Sequence, residues 1–197
     1  MRTAHLSALL CLPFALQAQE FSKGLGFSIS ACPAIILTEA VTTDNWIGDK
    51  PGFGTTTNAS VYWTFPKDGS TIGVGGGAFF WGDRTLYPLY LELTFPMAGL
   101  CTDCGMRRGI WARTGCEARL GAMFGSVETT SGPLHANFLS EVGLRYQMGA
   151  SDDSRFQIGL RLGIFSMSGP YQVQVDGQWQ DERISFLTVG PTFSMAF

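Results

Sequence analysis

Alternation of apolar with polar or small residues runs from Leu25 to Phe197 in eight separate stretches, and this period of two constrains the fold more than any other feature. In the first stretch Leu25, Phe27, Ile29 and Ala31 share one parity, with Gly24, Gly26, Ser28 and Ser30 on the other. Ala59, Val61, Trp63 and Phe65 lead the second, and Ile72, Val74, Ala78 and Phe80 the third. The fourth carries Leu89, Leu91, Leu93 and Phe95; the fifth, the least apolar, Ala112, Thr114, Cys116, Ala118 and Leu120. Phe138, Val142, Leu144 and Tyr146 mark the sixth, with Asn137, Glu141, Gly143 and Arg145 opposed to them. Phe156 to Ile164 and Leu187 to Phe197 supply the last two. Strands of about ten residues match a tilted membrane-crossing strand. The expectation is an all-β chain: one eight-stranded antiparallel up-and-down transmembrane β-barrel.

The connections support this order. Pro66–Ser70, Gly82-Asp83-Arg84 and Ala150–Ser154 read as short turns, whereas Thr38–Gly54, Ser126–Leu134 and Ser168–Arg183 read as longer polar loops. Pro191 falls within the last strand and predicts a local bulge, because proline lacks the ladder donor.

Residues 1–19 are expected to be a signal peptide and 20–197 the barrel domain. Arg2 precedes the short apolar run Leu6–Leu16, and Gln17-Ala18-Gln19 follows with small and polar character. That run is too short for a membrane helix. Export brings the chain into an oxidising compartment, where some cysteine pairing is expected. Cys101 and Cys104 are expected to form a disulfide closing a turn; by parity Cys32 and Cys116 face opposite sides and should not pair. A formal net charge of −3 leaves no basic footprint for nucleic acid.

Alternation does not say which face meets solvent. The polar parity carries charges of both signs: Glu92, Glu117 and Glu141 against Arg113, Arg119, Arg145 and Arg161. Buried charges must be paired, and a narrow lumen suits such a set. Glycines share that face and make room for Arg161, Trp81 and Tyr90. The apolar parity is therefore expected to face lipid, and the charged set to meet in one luminal network. Phe197, with Met195, Phe193 and Val189 at alternate positions before it, resembles the sorting signal through which bacterial outer-membrane barrels engage the barrel-assembly machinery.

The segments GVGGGAFFWGDRTLYPLYLELTF, EARLGAMFG, SEVGLRYQMG, FQIGLRLGIF and FLTVGPTFSMAF, spanning Thr71–Phe197, resemble a family of small outer-membrane β-barrel proteins common in Bacteroidetes. The resemblance implies an eight-stranded outer-membrane barrel with outer-membrane lipid as its surroundings, and brings no catalytic residues.

No cofactor motif is present. Cys101-Thr102-Asp103-Cys104 lacks the βαβ setting of a redox pair and the four ligands of a zinc site. His135 is the one candidate base for a lipid-modifying enzyme, but Asn137 stands two residues on, and Ser140 five residues on is too distant along an extended strand. Trp46, Phe53, Tyr171 and Trp179 lie in the expected loops as partner-binding residues or interfacial anchors. A non-enzymatic barrel with a structural or surface-binding role leads; a lipid-modifying enzyme and a secreted soluble ligand-binding barrel are the alternatives. The first strand lacks the Gly-x-Trp pattern of lipocalins.

Overall fold

The computed structural model describes residues 24–41, 52–66, 69–82, 84–97, 110–129, 132–150, 154–175 and 177–197. The expected signal peptide, Trp46 and the Cys101–Cys104 pair lie outside them.

The chain forms an all-β, closed, eight-stranded antiparallel barrel. Its strands are β1 Leu25–Val41, β2 Phe53–Thr64, β3 Thr71–Trp81, β4 Arg84–Pro96, β5 Thr114–Phe124, β6 Ser126–Thr129, β7 Gly132–Ala150, β8 Arg155–Val175 and β9 Gln178–Ala196. β5 and β6 are two segments of one stave, separated at Gly125 with φ 125°. Sheet order runs β5-β4-β3-β2-β1-β9-β8-β7-β6, and pairing of β5 with β7 closes the cylinder.

Turn chemistry accounts for the hairpins. Trp81 pairs with Arg84 across a turn in which Gly82 has φ 62°. Val175 pairs with Gln178 at a turn containing Gly177, φ 79°. These left-handed conformations suit glycine and two-residue hairpins. Two of the expected polar loops are in fact largely ladder. Ser126–Thr129 pairs with Gly132–His135, and Gln172–Val175 with Gln178–Asp181, so both hairpins continue beyond the barrel wall. At the β8–β9 tip the Gly177 turn lets pairing continue to the end, and an extended Gln-Val repeat can pair without being apolar.

Bulges adjust the staves. β7 carries an extra residue between Ala136 and Phe138 relative to β8. Leu134, Ala136 and Leu139 consequently all face inward and are buried. Asn137, expected on the inner face, is exposed. Pro191 causes no register shift, contrary to expectation. β1 and β9 pair up to Ala31↔Phe193 and resume at Ile35↔Val189 in the same register, which sets Pro33 opposite Pro191. Phe27 and Phe197 exchange both backbone hydrogen bonds, so every second rung from there, including the proline rung, is a hydrogen-bonding one. Both residues of that rung lack the donor, and the ladder opens instead of bulging.

The outer face is apolar in layers. Val61, Val74, Leu89, Leu91, Leu120, Val142, Leu144, Leu160 and Leu162 form an exposed aliphatic belt; Leu91 is 57% and Val142 54% accessible. Exposed aromatic residues border it on both sides: Trp63, Phe65, Phe95 and Phe156 toward the chain termini, and Phe53, Phe80, Tyr87, Phe124 and Phe138 toward the opposite end. Cys116 is on this outer face, its thiol 3.3 Å from Met97 Sδ, while Cys32 is buried on the inner face; both are unpaired.

Candidate functional site

Among the described residues, chemistry-bearing side chains converge in the barrel interior, and it is layered along the axis. At mid-height three glutamates and three arginines alternate in a closed ring of charge contacts. Glu92 meets Arg119 at 2.8 Å, and Arg119 meets Glu141 at 3.5 Å. Glu141 meets Arg161 at 3.5 Å, and Arg161 meets Glu117 at 2.8 Å. Glu117 meets Arg145 at 2.8 Å, and Arg145 returns to Glu92 at 3.1 Å. All six side chains are buried, Arg119 to 3% accessibility and Arg161 to 2%. Each acid therefore answers two bases, and the ring is neutral as a unit, the condition under which buried charge is tolerable.

Strand register explains how it assembles. Glu92, Arg119 and Glu141 occupy one row across β4, β5 and β7. In the next row Glu117 and Arg161 flank Gly143. A Cβ on Gly143 would come 2.9 Å from Glu117 Oε1 and 2.8 Å from the Leu160 carbonyl oxygen. Glycine at this position is what lets the Arg161 Nε donate to Glu117 across an intervening strand, at 2.8 Å. Neutral groups complete the layer. Arg145 donates to Gln157 Oε1 and to Thr94 Oγ1, and Arg119 lies over the Tyr90 ring, 4.6 Å from its centroid.

Arg113, expected within the network, is outside it. β5 begins at Thr114, the last residue on that side to pair with β7, so Arg113 precedes the ladder. It closes a single 3-10 turn, Trp111–Arg113, and is exposed at the mouth nearest the chain termini.

On the other side of the ring the lumen is filled by apolar side chains. Phe79, Trp81, Leu86, Met123, Val127, Leu134, Leu139, Phe165, Met167, Ile184 and Phe186 form one buried cluster with Tyr90 and Ala136. Phe165 stacks on Phe186 at 4.7 Å between centroids, and Trp81 meets Phe186 edge-on at 4.8 Å. Parity places Trp81 and Tyr90 on the inner face, but the layer itself is not legible in the sequence, because most of its other members lie in stretches that read as loops or beside apolar neighbours on the outer face.

His135 is exposed on the outer face, opposite Ser126 on β6 and Ser168 on β8. These serines are cross-strand neighbours, invisible to spacing along the chain. The Ser168 hydroxyl accepts from Asn137 Nδ2 at 2.7 Å, and Asn137 Oδ1 accepts from Ser166 at 2.9 Å. Among the described residues no hydrogen bond joins His135 to either serine, so a nucleophile and its base are not paired there. Among the described residues no three histidine, cysteine, aspartate or glutamate side chains gather as a metal site.

No protein-family model matches the chain, and no curated protein matches it. Among solved structures it is similar to the outer membrane protein OprG from Pseudomonas aeruginosa, with 10% identity over 91% of this chain and 98% of that one and a TM-score of 0.39. It is also similar to the NanC porin, with 11% identity over 82% of this chain and 98% of that one and a TM-score of 0.32. The fold assignment rests on the closed strand pairing.

Proposed function

We propose that this chain is a non-enzymatic integral barrel of a bacterial outer membrane, surrounded by outer-membrane lipid, with a structural or surface-binding role and a sealed lumen. The observation that carries the reading is the exposed aliphatic belt bordered on both sides by aromatic residues. Exposed apolar area on this scale is unfavourable in water, whereas lipid-facing barrels carry an apolar band between aromatic girdles. Charges paired inside and apolar residues outside invert the arrangement of a soluble ligand-binding barrel. On this reading the last strand, ending at Phe197, engages the barrel-assembly machinery. The extended β6–β7 and β8–β9 hairpins, at the end away from the termini, present the surface available to a partner.

Location is tested by fractionation. The protein is expected to sediment with outer membranes and to migrate differently on gels with and without boiling. Recovery as a soluble periplasmic protein with no heat-dependent shift would sink the membrane reading.

Conduction is a separate test. The ionic ring and the apolar layer together occupy the interior of an eight-stranded barrel, which is only wide enough for side chains to fill. The unmutated protein is expected to leave planar bilayers silent. A steady conductance would move it into the channel class.

A further inference from the structure

The ring is neutral, but among the described residues the mouth on its terminal side carries more arginine than acid. A pocket of about 120 Å³ opens there, between the ring and solvent, and is lined by Arg113, Arg145, Arg155, Glu92, Tyr62 and Gln157 among others. Among the described residues its one acidic side chain is already engaged: Glu92 Oε2 accepts from Arg119 and Glu92 Oε1 from Arg145. Arg145 is committed in turn to Glu92, Glu117 and Thr94. Among the described residues Arg113 and Arg155 are left as positive charge from two different elements, the turn before β5 and the first residue of β8. Among the described residues neither pairs with a carboxylate.

One neutral group of this pocket also offers donors. Gln157 Oε1 accepts from Arg145 and from the Ser194 hydroxyl, which leaves the Gln157 amide N–H₂ to donate. Guanidinium groups present planar forks that match the oxygens of a carboxylate or phosphate. A concave site with low-dielectric walls and charge of one sign concentrates counter-ions. The ring closes the inner end, so a ligand entering here stops.

We propose that this vestibule is a dead-end binding site for a small oxyanion, a carboxylate or phosphate group, held between Arg113 and Arg155. The site goes beyond the structural role proposed above and does not depend on it.

The test uses the full chain folded in zwitterionic detergent, titrated calorimetrically at constant ionic strength with inorganic phosphate and with succinate. A third arm replaces part of the detergent with phosphatidylglycerol. Saturable binding is expected, weakened about tenfold or more in Arg113→Gln/Arg155→Gln, since each guanidinium contact is a charge-assisted hydrogen bond. Arg183→Gln removes the same kind of charge from β9 near the opposite end and is expected to bind as the unmutated protein does. Retention of the boiling-dependent gel shift shows that each variant is folded; both vestibule arginines are exposed and outside the ring, so folding should survive. Binding of the soluble probes assigns the site to free anions, and binding of phosphatidylglycerol alone through the same arginines assigns it to a lipid headgroup. Absence of saturable binding in all three arms, or equal weakening by Arg183→Gln, overturns the proposal.

Discussion

Glu117→Ala is expected to lower the unfolding free energy by about 3–5 kcal/mol, the cost of removing one partner from a buried ion pair. Glu117 is the ring member with two short contacts, 2.8 Å to Arg145 and 2.8 Å to Arg161. Its loss leaves Arg161 with only Glu141, at 3.5 Å. Arg145 retains Glu92 at 3.1 Å and borders the vestibule, where water can reach it, so the main penalty falls on Arg161. Glu141→Ala removes two contacts of 3.5 Å and should cost clearly less. The measurement is the urea unfolding midpoint in micelles, followed by loss of the heat-shifted band. A combined Glu117→Leu/Arg161→Met variant should recover part of the loss, because replacing a buried pair together leaves less charge stranded. Equal midpoints for Glu117→Ala and the unmutated protein would refute the view that the ring stabilises the barrel as a unit.

Trp81→Ala should destabilise to a similar degree for a different reason. Trp81 is fully buried and packs edge-on against both Phe186 and Phe165, with centroids at 4.8 and 6.1 Å. Truncating a buried aromatic costs about 3–5 kcal/mol through lost transfer energy and the cavity left behind. Trp81→Phe should lose much less. Trp179→Ala, on the exposed β8–β9 hairpin, should stay within about 0.5 kcal/mol of the unmutated protein. If Trp81→Ala and Trp179→Ala unfold at the same midpoint, the apolar layer contributes nothing measurable and the barrel wall alone carries the stability.

Much of this interior could be read from alternation. Parity along β4, β5 and β8 places Glu92, Glu117, Arg119 and Arg161 on one face before any partner is known, because a closed sheet keeps the period of two. The ring itself could not be read. Its closure depends on register between strands far apart in sequence, and on Gly143 standing between Glu117 and Arg161. Arg113 reads as luminal because alternation continues through Ala112 and Thr114, whereas the ladder with β7 starts at Thr114. The β7 bulge was equally hidden: Asn137 and Leu139 share a parity, yet only Leu139 faces in. In Ile164–Met167 and Ile184–Leu187 both faces carry apolar residues, so parity alone gives no inside or outside. The cross-strand approach of Ser126 and Ser168 to His135 belongs to the same class of information, set by pairing and not by spacing.

A closed barrel is a hoop, and a hoop gives where rungs of its circumference are missing. The rung at Pro33 and Pro191 divides the joint between the first and last strands into two short clasps, Ser28–Ala31 below and Ile35–Val41 above. Neither proline has a donor to give up there, so slight parting at this height breaks no hydrogen bond that the rung itself could have made. Lateral strain from the surroundings can therefore be taken up at this joint, between the clasps. The contents of the lumen, packed against the wall on every side, serve as the mandrel that keeps the hoop round.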